Sequence, residues 1–158
     1  MPDFVYNTRY DYSQPIPAIS YLLGGGYVVL WQAQYQDGMD WGIYGQRYAD
    51  NGTAISSEFQ VNSTTTDTQE MPAITALSDG GFVAVWQSRD YGGTEYDIFG
   101  QRYAANGSRV GAEFRINQAL TGWQQHASVV SLADGGFVVA WDSLQKSVEA
   151  VSYTHLRA

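Results

Sequence analysis

Short apolar runs alternate with tight-turn residues along the chain. Residues 72–77 form one such run, the turn segment 78–81 contains Asp79-Gly80, and residues 82–86 are apolar at every position. Asp-Gly between two apolar runs predicts a β-hairpin, and we expect a type I′ turn with positive φ at both central residues. A wholly apolar run is typical of a strand that is buried on both faces.

Two more strands are predicted after this hairpin. Residues 96–103 form a third apolar-rich segment, and Asn106-Gly107 marks a second tight turn. From residue 110 to residue 117, apolar and polar or small side chains alternate, which indicates a half-buried fourth strand. No segment combines a 3.6-residue apolar period with capping residues, so we expect almost no helix.

The four-strand pattern belongs to a tandem repeat with a spacing of 55 residues, which is the spacing of Trp31, Trp86 and Trp141. Four antiparallel strands in about 40–55 residues are typical of a β-propeller blade. The sequence therefore predicts an all-β fold of repeated four-stranded antiparallel units in an incomplete β-propeller-like arrangement. A β-solenoid, a twisted sandwich and a chain of small sheets are the alternatives, but a simple parallel coil would not need two tight hairpin turns per unit.

The repeat register also divides the chain. Residues 1–143 hold about two and a half units, with boundaries near 17–71, 72–126 and a partial 127–143. The pattern stops after Ser143, and residues 151–158 resemble translated sequencing-adapter read-through. We therefore expect residues 144–158 to be artefactual or disordered, and both ends to be cuts through a longer parent chain.

Composition and charge exclude several classes of function. Hydrophobic residues make up 44% of the chain, which argues against disorder. The net charge of -8 repels phosphate backbones, so neither nucleic acid nor an anionic membrane surface is an expected partner. The absence of cysteine removes disulfides, zinc–thiolate sites and thiol nucleophiles. No apolar run approaches the roughly 20 residues of a membrane span, so membrane insertion is not expected.

Several segments at fixed spacing carry a resemblance to a known family. Residues 135–141 are Gly-Gly-Phe-Val-Val-Ala-Trp, residues 43–48 are Ile-Tyr-Gly-Gln-Arg-Tyr, and residues 51–52 and 58–62 are Asn-Gly and Glu-Phe-Gln-Val-Asn. This pattern resembles a repeat of the very large bacterial RTX-type proteins, the type I-secreted toxins and adhesins, over about residues 3–143. The resemblance implies an extracellular or cell-surface location, neighbouring repeats of the same parent chain as partners, and a non-enzymatic structural or adhesive role.

Calcium is the one cofactor that the sequence brings into question. Family members often bind calcium through glycine-rich nonapeptides, and residues 92–100 match that motif except for Glu95 at its third glycine. The aligned residues 37–45 lack both the leading glycine and the aspartate. Because calcium needs six to eight oxygen ligands, a loop leading into the third strand is the simpler interpretation. If calcium binds, the available carboxylates are Asp37, Asp40, Asp90, Glu95 and Asp97.

Residues that recur at the repeat spacing are predicted to be structural. Trp31, Trp86 and Trp141 are expected in the core, and Asp79 and Asp134 are expected to support the backbone of their turns. Gln14, Gln69 and Gln124 are expected to bond loop backbone that would otherwise be buried without a partner. On one face of adjacent strands, Arg47 is expected to contact Glu58, and Arg102 to contact Glu113.

No catalytic residue is predicted. A Ser-His-Asp triad would have to use His126, because the other histidine, His155, lies in the divergent tail. The alternative to a structural module is a carbohydrate-binding β-propeller fragment that contacts cell-surface glycans or proteins through loop aromatics that do not recur, namely Tyr35, Trp41, Tyr91 and Trp123. A fragment of a propeller hydrolase is a third possibility and would require non-recurring carboxylates that converge on the central channel.

Overall fold

A computed structural model describes residues 16–38, 40–89, 95–118, 121–145 and 148–156, with only the backbone for residues 145 and 148–156. These residues form β-strands and no helix. The strands are β1 (Ala18–Tyr21), β2 (Tyr27–Gln34), β3 (Trp41–Tyr48), β4 (Phe59–Gln60), β5 (Gln69–Ala76), β6 (Phe82–Arg89), β7 (Tyr96–Tyr103), β8 (Arg109–Arg115), β9 (Trp123–Ser131), β10 (Phe137–Gln145) and β11 (Val148–Leu156).

The strands form three antiparallel sheets, and each sheet follows the order of the chain. Blade 1 is β1-β2-β3-β4, blade 2 is β5-β6-β7-β8, and blade 3 is β9-β10-β11. The first strands are neighbours, because β1 contacts β5 and β5 contacts β9. The predicted fold is confirmed: repeated four-stranded antiparallel units in an incomplete β-propeller-like arrangement. Nowhere in these described ranges is there a helix with the length and hydrophobicity that crossing a membrane requires.

Strands β2 and β6 are buried on both faces, as their apolar sequences predict. Trp31 and Trp86 are fully buried, and Trp141 is nearly so. Successive blades pack face to face and enclose two of the hydrophobic clusters. One lies between blades 1 and 2 and includes Leu30 and Trp86, and the other lies between blades 2 and 3 and includes Val85 and Trp141. The core of the molecule is therefore built mainly at the seams between blades.

The hairpin turns occur where the sequence predicts them, but the predicted turn type is wrong. The amide of Gly80 bonds the carbonyl of Leu77 at 3.0 Å, so Ser78 and Asp79 are the central residues of the turn. Gly80 has φ 84°, whereas Asp79 is not among the residues with positive φ. This geometry is a type I turn followed by a left-handed glycine, which is the common three-residue hairpin loop.

The predicted Arg–Glu contacts are also wrong, because the outer strands shift register. In blade 2, Arg102 faces Val110 but Gly100 faces Phe114, so three residues of β8 oppose one residue of β7. Because Arg102 faces Val110 instead of Gly111, Glu113 lies on the opposite face from Arg102. In blade 1, Gly45 faces Phe59, which likewise sets Glu58 beside Gln46 instead of Arg47.

These four charged side chains have other partners. Arg102 forms an ion pair with Asp79 at 2.8 Å, and Nη2 of Arg47 donates to the carbonyl of Ala105 in blade 2 at 2.6 Å. Glu113 accepts a hydrogen bond from the amide of Ser63 in blade 1 at 2.6 Å, and Glu58 accepts one from Gln36 at 3.4 Å. Arg47 of blade 1 and Glu113 of blade 2 therefore each form a hydrogen bond that links the two blades.

Blade 3 differs from the others after Ser143. Residues 148–156, expected to be artefactual or disordered, form β11, which pairs with β10 from Gln145↔Val148 to Phe137↔Leu156. In blade 2 the equivalent pair is Phe82↔Tyr103, so the hairpin of blade 3 is two residues shorter than the repeat requires. The backbone of this segment thus continues the sheet in a changed register.

Candidate functional site

The candidate residues lie at one edge of the blades, here called the upper rim. Because neighbouring strands are antiparallel, the ends of β2, β6 and β10 meet the starts of β3, β5, β7 and β9 at this edge. The rim holds every described candidate for ligand or calcium binding, namely Tyr35, Asp37, Asp40, Trp41, Glu95, Asp97 and Trp123. Asp90 and Tyr91, the remaining candidates, lie outside the described residues.

The candidate aromatic residues do not form one platform. Tyr35 and Trp41 belong to blade 1, whereas Trp123 begins blade 3. Tyr35 is exposed and has φ 58°, and Trp41 is half-buried. Trp123 is 44% exposed. Its ring meets the ring of Tyr96 edge-on, with centroids 5.8 Å apart. The structure therefore adds Tyr96, which the sequence pattern did not select, to one of the predicted aromatic positions.

Glu70 and Gln87 extend this aromatic pair into the Trp123 cluster, defined as Glu70, Gln87, Tyr96 and Trp123. Burial raises the pKa of Tyr96 to about 12, with a further contribution from the charge of Glu70 and a hydrogen bond to it. Oε1 of Glu70 accepts a hydrogen bond from Nε2 of Gln87 at 2.9 Å. The cluster presents one exposed indole beside the phenol of Tyr96, which stays protonated at neutral pH and lies near the carboxylate of Glu70.

The predicted calcium ligands are dispersed among separate protein contacts. Asp37 accepts a hydrogen bond from Gln60 at 2.9 Å, Asp40 accepts one from Thr68 at 2.8 Å, and Glu95 accepts one from the amide of Gly122 at 2.9 Å. Asp97 accepts one from Asn117 at 2.6 Å and lies 3.5 Å from Arg115. In the described part of the chain, no three His, Asp or Glu side chains come together in a group that could hold a metal ion.

A recurring contact joins each blade to the next. Met71 and His126 occupy the same repeat position at a bulge near the start of the first strand, with φ of 56° and 53°. The amide of Met71 donates to Oε1 of Gln32 at 2.9 Å, and the amide of His126 donates to Oε1 of Gln87 at 3.1 Å. In both pairs the glutamine belongs to the preceding blade and is buried. This glutamine-to-bulge contact is called the interblade latch below.

The latch was not predicted, although part of its signal is in the sequence. Gln32, Gln87 and Asp142 follow one another at the repeat spacing. The residues at this repeat position are Ile16, which precedes β1, and Met71 and His126 in the bulges, and all three adopt positive φ, as glycine does most readily. Isoleucine, methionine and histidine share no preference for positive φ, so the sequence at this position does not indicate the bulge.

His126 takes part in the latch through its backbone. Its ring Nδ1 lies 3.0 Å from Oδ2 of Asp142, and both side chains are exposed. The predicted roles of other recurring residues are confirmed: Gln69 donates to the carbonyl of Thr66 at 2.8 Å, and Gln124 donates to that of Gly122 at 3.3 Å. The turn carboxylates of Asp79 and Asp134 each accept a hydrogen bond from the amide two residues later, at 2.9 and 3.1 Å. Gln14 lies outside the described residues.

Comparison with known proteins finds likeness in structure alone. No protein-family model matches the chain, and no curated protein matches it. An endo-arabinase from Bacteroides thetaiotaomicron VPI-5482 has a similar structure, with a TM-score of 0.55 and 22% identity over 94% of this chain and 56% of that one. An endo-1,4-beta-xylanase from the same organism has a TM-score of 0.50 and 14% identity over 90% of this chain and 52% of that one.

The likeness is one of fold. At such identities the chain shares the β-rich architecture of these two proteins, and it spans about half the length of each.

Proposed function

We propose that the chain is a non-enzymatic structural and adhesive repeat module of a large secreted or cell-surface protein. The interblade latch is the observation that carries this proposal, because it occurs at both seams with the same residue positions and similar geometry. The side chains that recur at the repeat spacing thus serve to stack one blade on the next. Neighbouring repeats are accordingly the first partners of each blade.

Other recurring polar residues support the same role. Asn62 accepts a hydrogen bond from the amide of Ile43, and Asn117 accepts one from the amide of Ile98, each at 2.8 Å. Both asparagines are buried and tie the end of a blade to its third strand. A buried amide group without such a partner would cost about 1–3 kcal/mol, so these side chains stabilise the fold.

Hydrolysis, as a fragment of a propeller hydrolase, is the third candidate function, and Glu70 is the carboxylate on which to test it. Glu70 aligns with Pro15 and Gln125, so it does not recur, and it lies at the start of β5, a first strand of a blade. Its Oε1 already accepts a hydrogen bond from Gln87. A glycosidase needs two carboxyl groups about 5–10 Å apart on either side of the bond to be cleaved. The proposal assigns Glu70 to the polar network of the rim.

Incubation of the protein with arabinan and with xylan is expected to release no reducing sugar above the level of a buffer control. These two polymers are chosen because the similar structures are named as an endo-arabinase and a xylanase. Glu70→Gln and Glu113→Gln are assayed in parallel. Sugar release that Glu70→Gln abolishes and Glu113→Gln retains would overturn the non-enzymatic assignment.

Carbohydrate binding is a second candidate, favoured by the exposed indole of Trp123 beside Tyr96. An exposed aromatic face next to hydrogen-bonding groups is suited to stacking against a sugar ring. If a glycan array gives a hit, we expect Trp123→Ala to weaken binding at least roughly tenfold, because exposed tryptophans often dominate such contacts. Ile55→Ala, which removes an exposed apolar side chain of blade 1, is the control and is expected to bind like the unmodified chain. Equal affinity of all three proteins would exclude Trp123 as the contact.

A further inference from the structure

Each blade has two different faces. The trailing face points towards the next blade and in blade 2 includes Leu77, Val83 and Val85, which pack against blade 3. The leading face points towards the preceding blade and in blade 2 includes Phe82 and Trp86, which pack against blade 1. Both seams of the structure join a trailing face to a leading face.

Blade 3 has a trailing face with no blade against it in the structure. Leu132, Val138 and Ala140 stand where Leu77, Val83 and Val85 stand in blade 2. Val83 is 0% exposed, whereas Val138 is only half-buried. On the same face Val130 is 58% exposed and Leu144 is 49% exposed. The face therefore keeps the apolar character of a seam.

The polar part of a seam is also present on this face. Asp142 occupies the position of Gln32 and Gln87, the glutamines that accept the bulge amide of the next blade. The side chain of Asp142 is 64% exposed, whereas Gln87 is 2% exposed. A carboxylate is a stronger acceptor for a backbone N–H than an amide oxygen is. Asp142 thus supplies the acceptor for a third interblade latch.

We propose that the trailing face of blade 3 is a docking surface for a further blade of this repeat. The docked blade would place residues equivalent to Phe82, Ala84 and Trp86 against Val138 and Ala140, and its bulge amide on Asp142. This inference rests on the proposed structural role. A blade of the same repeat is the expected occupant because the same face makes that contact in blades 1 and 2.

A second copy of the chain is a poorer fit to this surface. It would have to offer the leading face of its own blade 1, whose equivalent residues are Tyr27, Val29 and Trp31. Val29 and Trp31 are already buried, with 5% and 0% of their surfaces exposed. Exposing them again would cost the free energy of burying those apolar side chains.

The test compares the chain with an extended chain in which residues 144–158 are replaced by a copy of residues 89–126 followed by a copy of residues 72–126. The extension completes blade 3 and adds a fourth blade. Because the chain has no cysteine, Val130→Cys introduces a single thiol on the docking surface. The measurement is the rate at which this thiol reacts with a water-soluble disulfide reagent.

The thiol at position 130 is expected to react about threefold more slowly in the extended chain, because Thr75, at the equivalent position of blade 2, is half-buried beneath blade 3. Ile55→Cys is the exposed control and should react at the same rate in both chains, because Ile55 lies in blade 1. Val83→Cys is the buried control and should react slowly in both, which shows that the seam between blades 2 and 3 is folded.

Equal reactivity at position 130 in the two chains, with both controls as expected, would overturn the proposal. Protection in the original chain that grows with protein concentration would also overturn it, because a second copy would then occupy the surface. The release of sugar from arabinan or xylan tests the proposed non-enzymatic role. It would not change the rate of thiol labelling, which tests the docking of a further blade.

Discussion

Replacement of Trp86 by alanine is expected to lower the free energy of unfolding by about 3–5 kcal/mol, the range for large aromatic residues in a core. Trp86 lies in β6 with 0% of its surface exposed and belongs to the cluster between blades 1 and 2. Its indole nitrogen has no hydrogen-bond partner. The loss therefore reflects packing, and it affects both blades that meet at this seam.

Urea unfolding followed by far-ultraviolet circular dichroism measures the effect of Trp86→Ala. Trp123→Ala is the matched control because it makes the same chemical change at a position that is 44% exposed. The control should lose about 1 kcal/mol or less, since exposed substitutions usually have small effects. Similar losses for the two variants would contradict the assignment of the seam as the core of the molecule.

Replacement of Gly81 by alanine is expected to cost about 1–3 kcal/mol or more, as overpacking does in a rigid site. A Cβ atom at Gly81 would lie 3.3 Å from the carbonyl carbon of Tyr103 and closer still to its oxygen. Those atoms belong to the backbone of β7, so no side-chain rotation relieves the contact. The pairing of Phe82 with Tyr103 at the end of the hairpin would have to open.

Gly24→Ala is the control for this second substitution. A Cβ atom at Gly24 meets nothing within 4 Å, and Gly24 does not have positive φ. Its replacement should leave stability unchanged or raise it slightly, because alanine restricts the unfolded chain more than glycine does. The measurement is the midpoint of thermal unfolding, and equal midpoints for Gly81→Ala and the unmodified chain would contradict the close approach of β6 and β7.

The strands and their order were predictable because they depend on patterns that persist over many residues. The wholly apolar segment that became β6 could only be stable with both faces covered, and the fixed spacing of Trp31, Trp86 and Trp141 extended that conclusion to each blade. The location of the hairpins followed from Asp-Gly and Asn-Gly for the same reason. These signals are local, and the tertiary structure reinforces them.

The predicted Arg–Glu contacts failed because they needed a register accurate to one residue. Gly111 has φ 71° and lies within the irregular pairing of β7 with β8. That irregular pairing adds two residues to β8 and leaves the face unchanged, but the hairpin places Arg102 opposite Val110 instead of Gly111. This slip of one residue moves every following side chain to the other face of the sheet. Regular alternation in the sequence does not reveal it, so Glu113 was assigned to the wrong face.

The rim was only partly predictable. Exposed aromatic residues in loops drew attention to Trp123, but the contact of Tyr96 with it depends on how blades 2 and 3 meet. The latch required the positive φ of Met71 and His126, and neither residue type predicts that conformation. Both features arise at seams between blades, where a pattern within one repeat carries little information.

The two unlike faces of each blade have a consequence for how many blades an assembly contains. A contact between two different surfaces is heterologous, so the same contact repeats from unit to unit with a fixed rotation. If that rotation divides a full turn evenly the units close into a ring, and otherwise they continue as an open helical array. The angle between blades at the seam, which the packing of the two unlike faces fixes, therefore sets the number of repeats independently of how strongly two blades adhere.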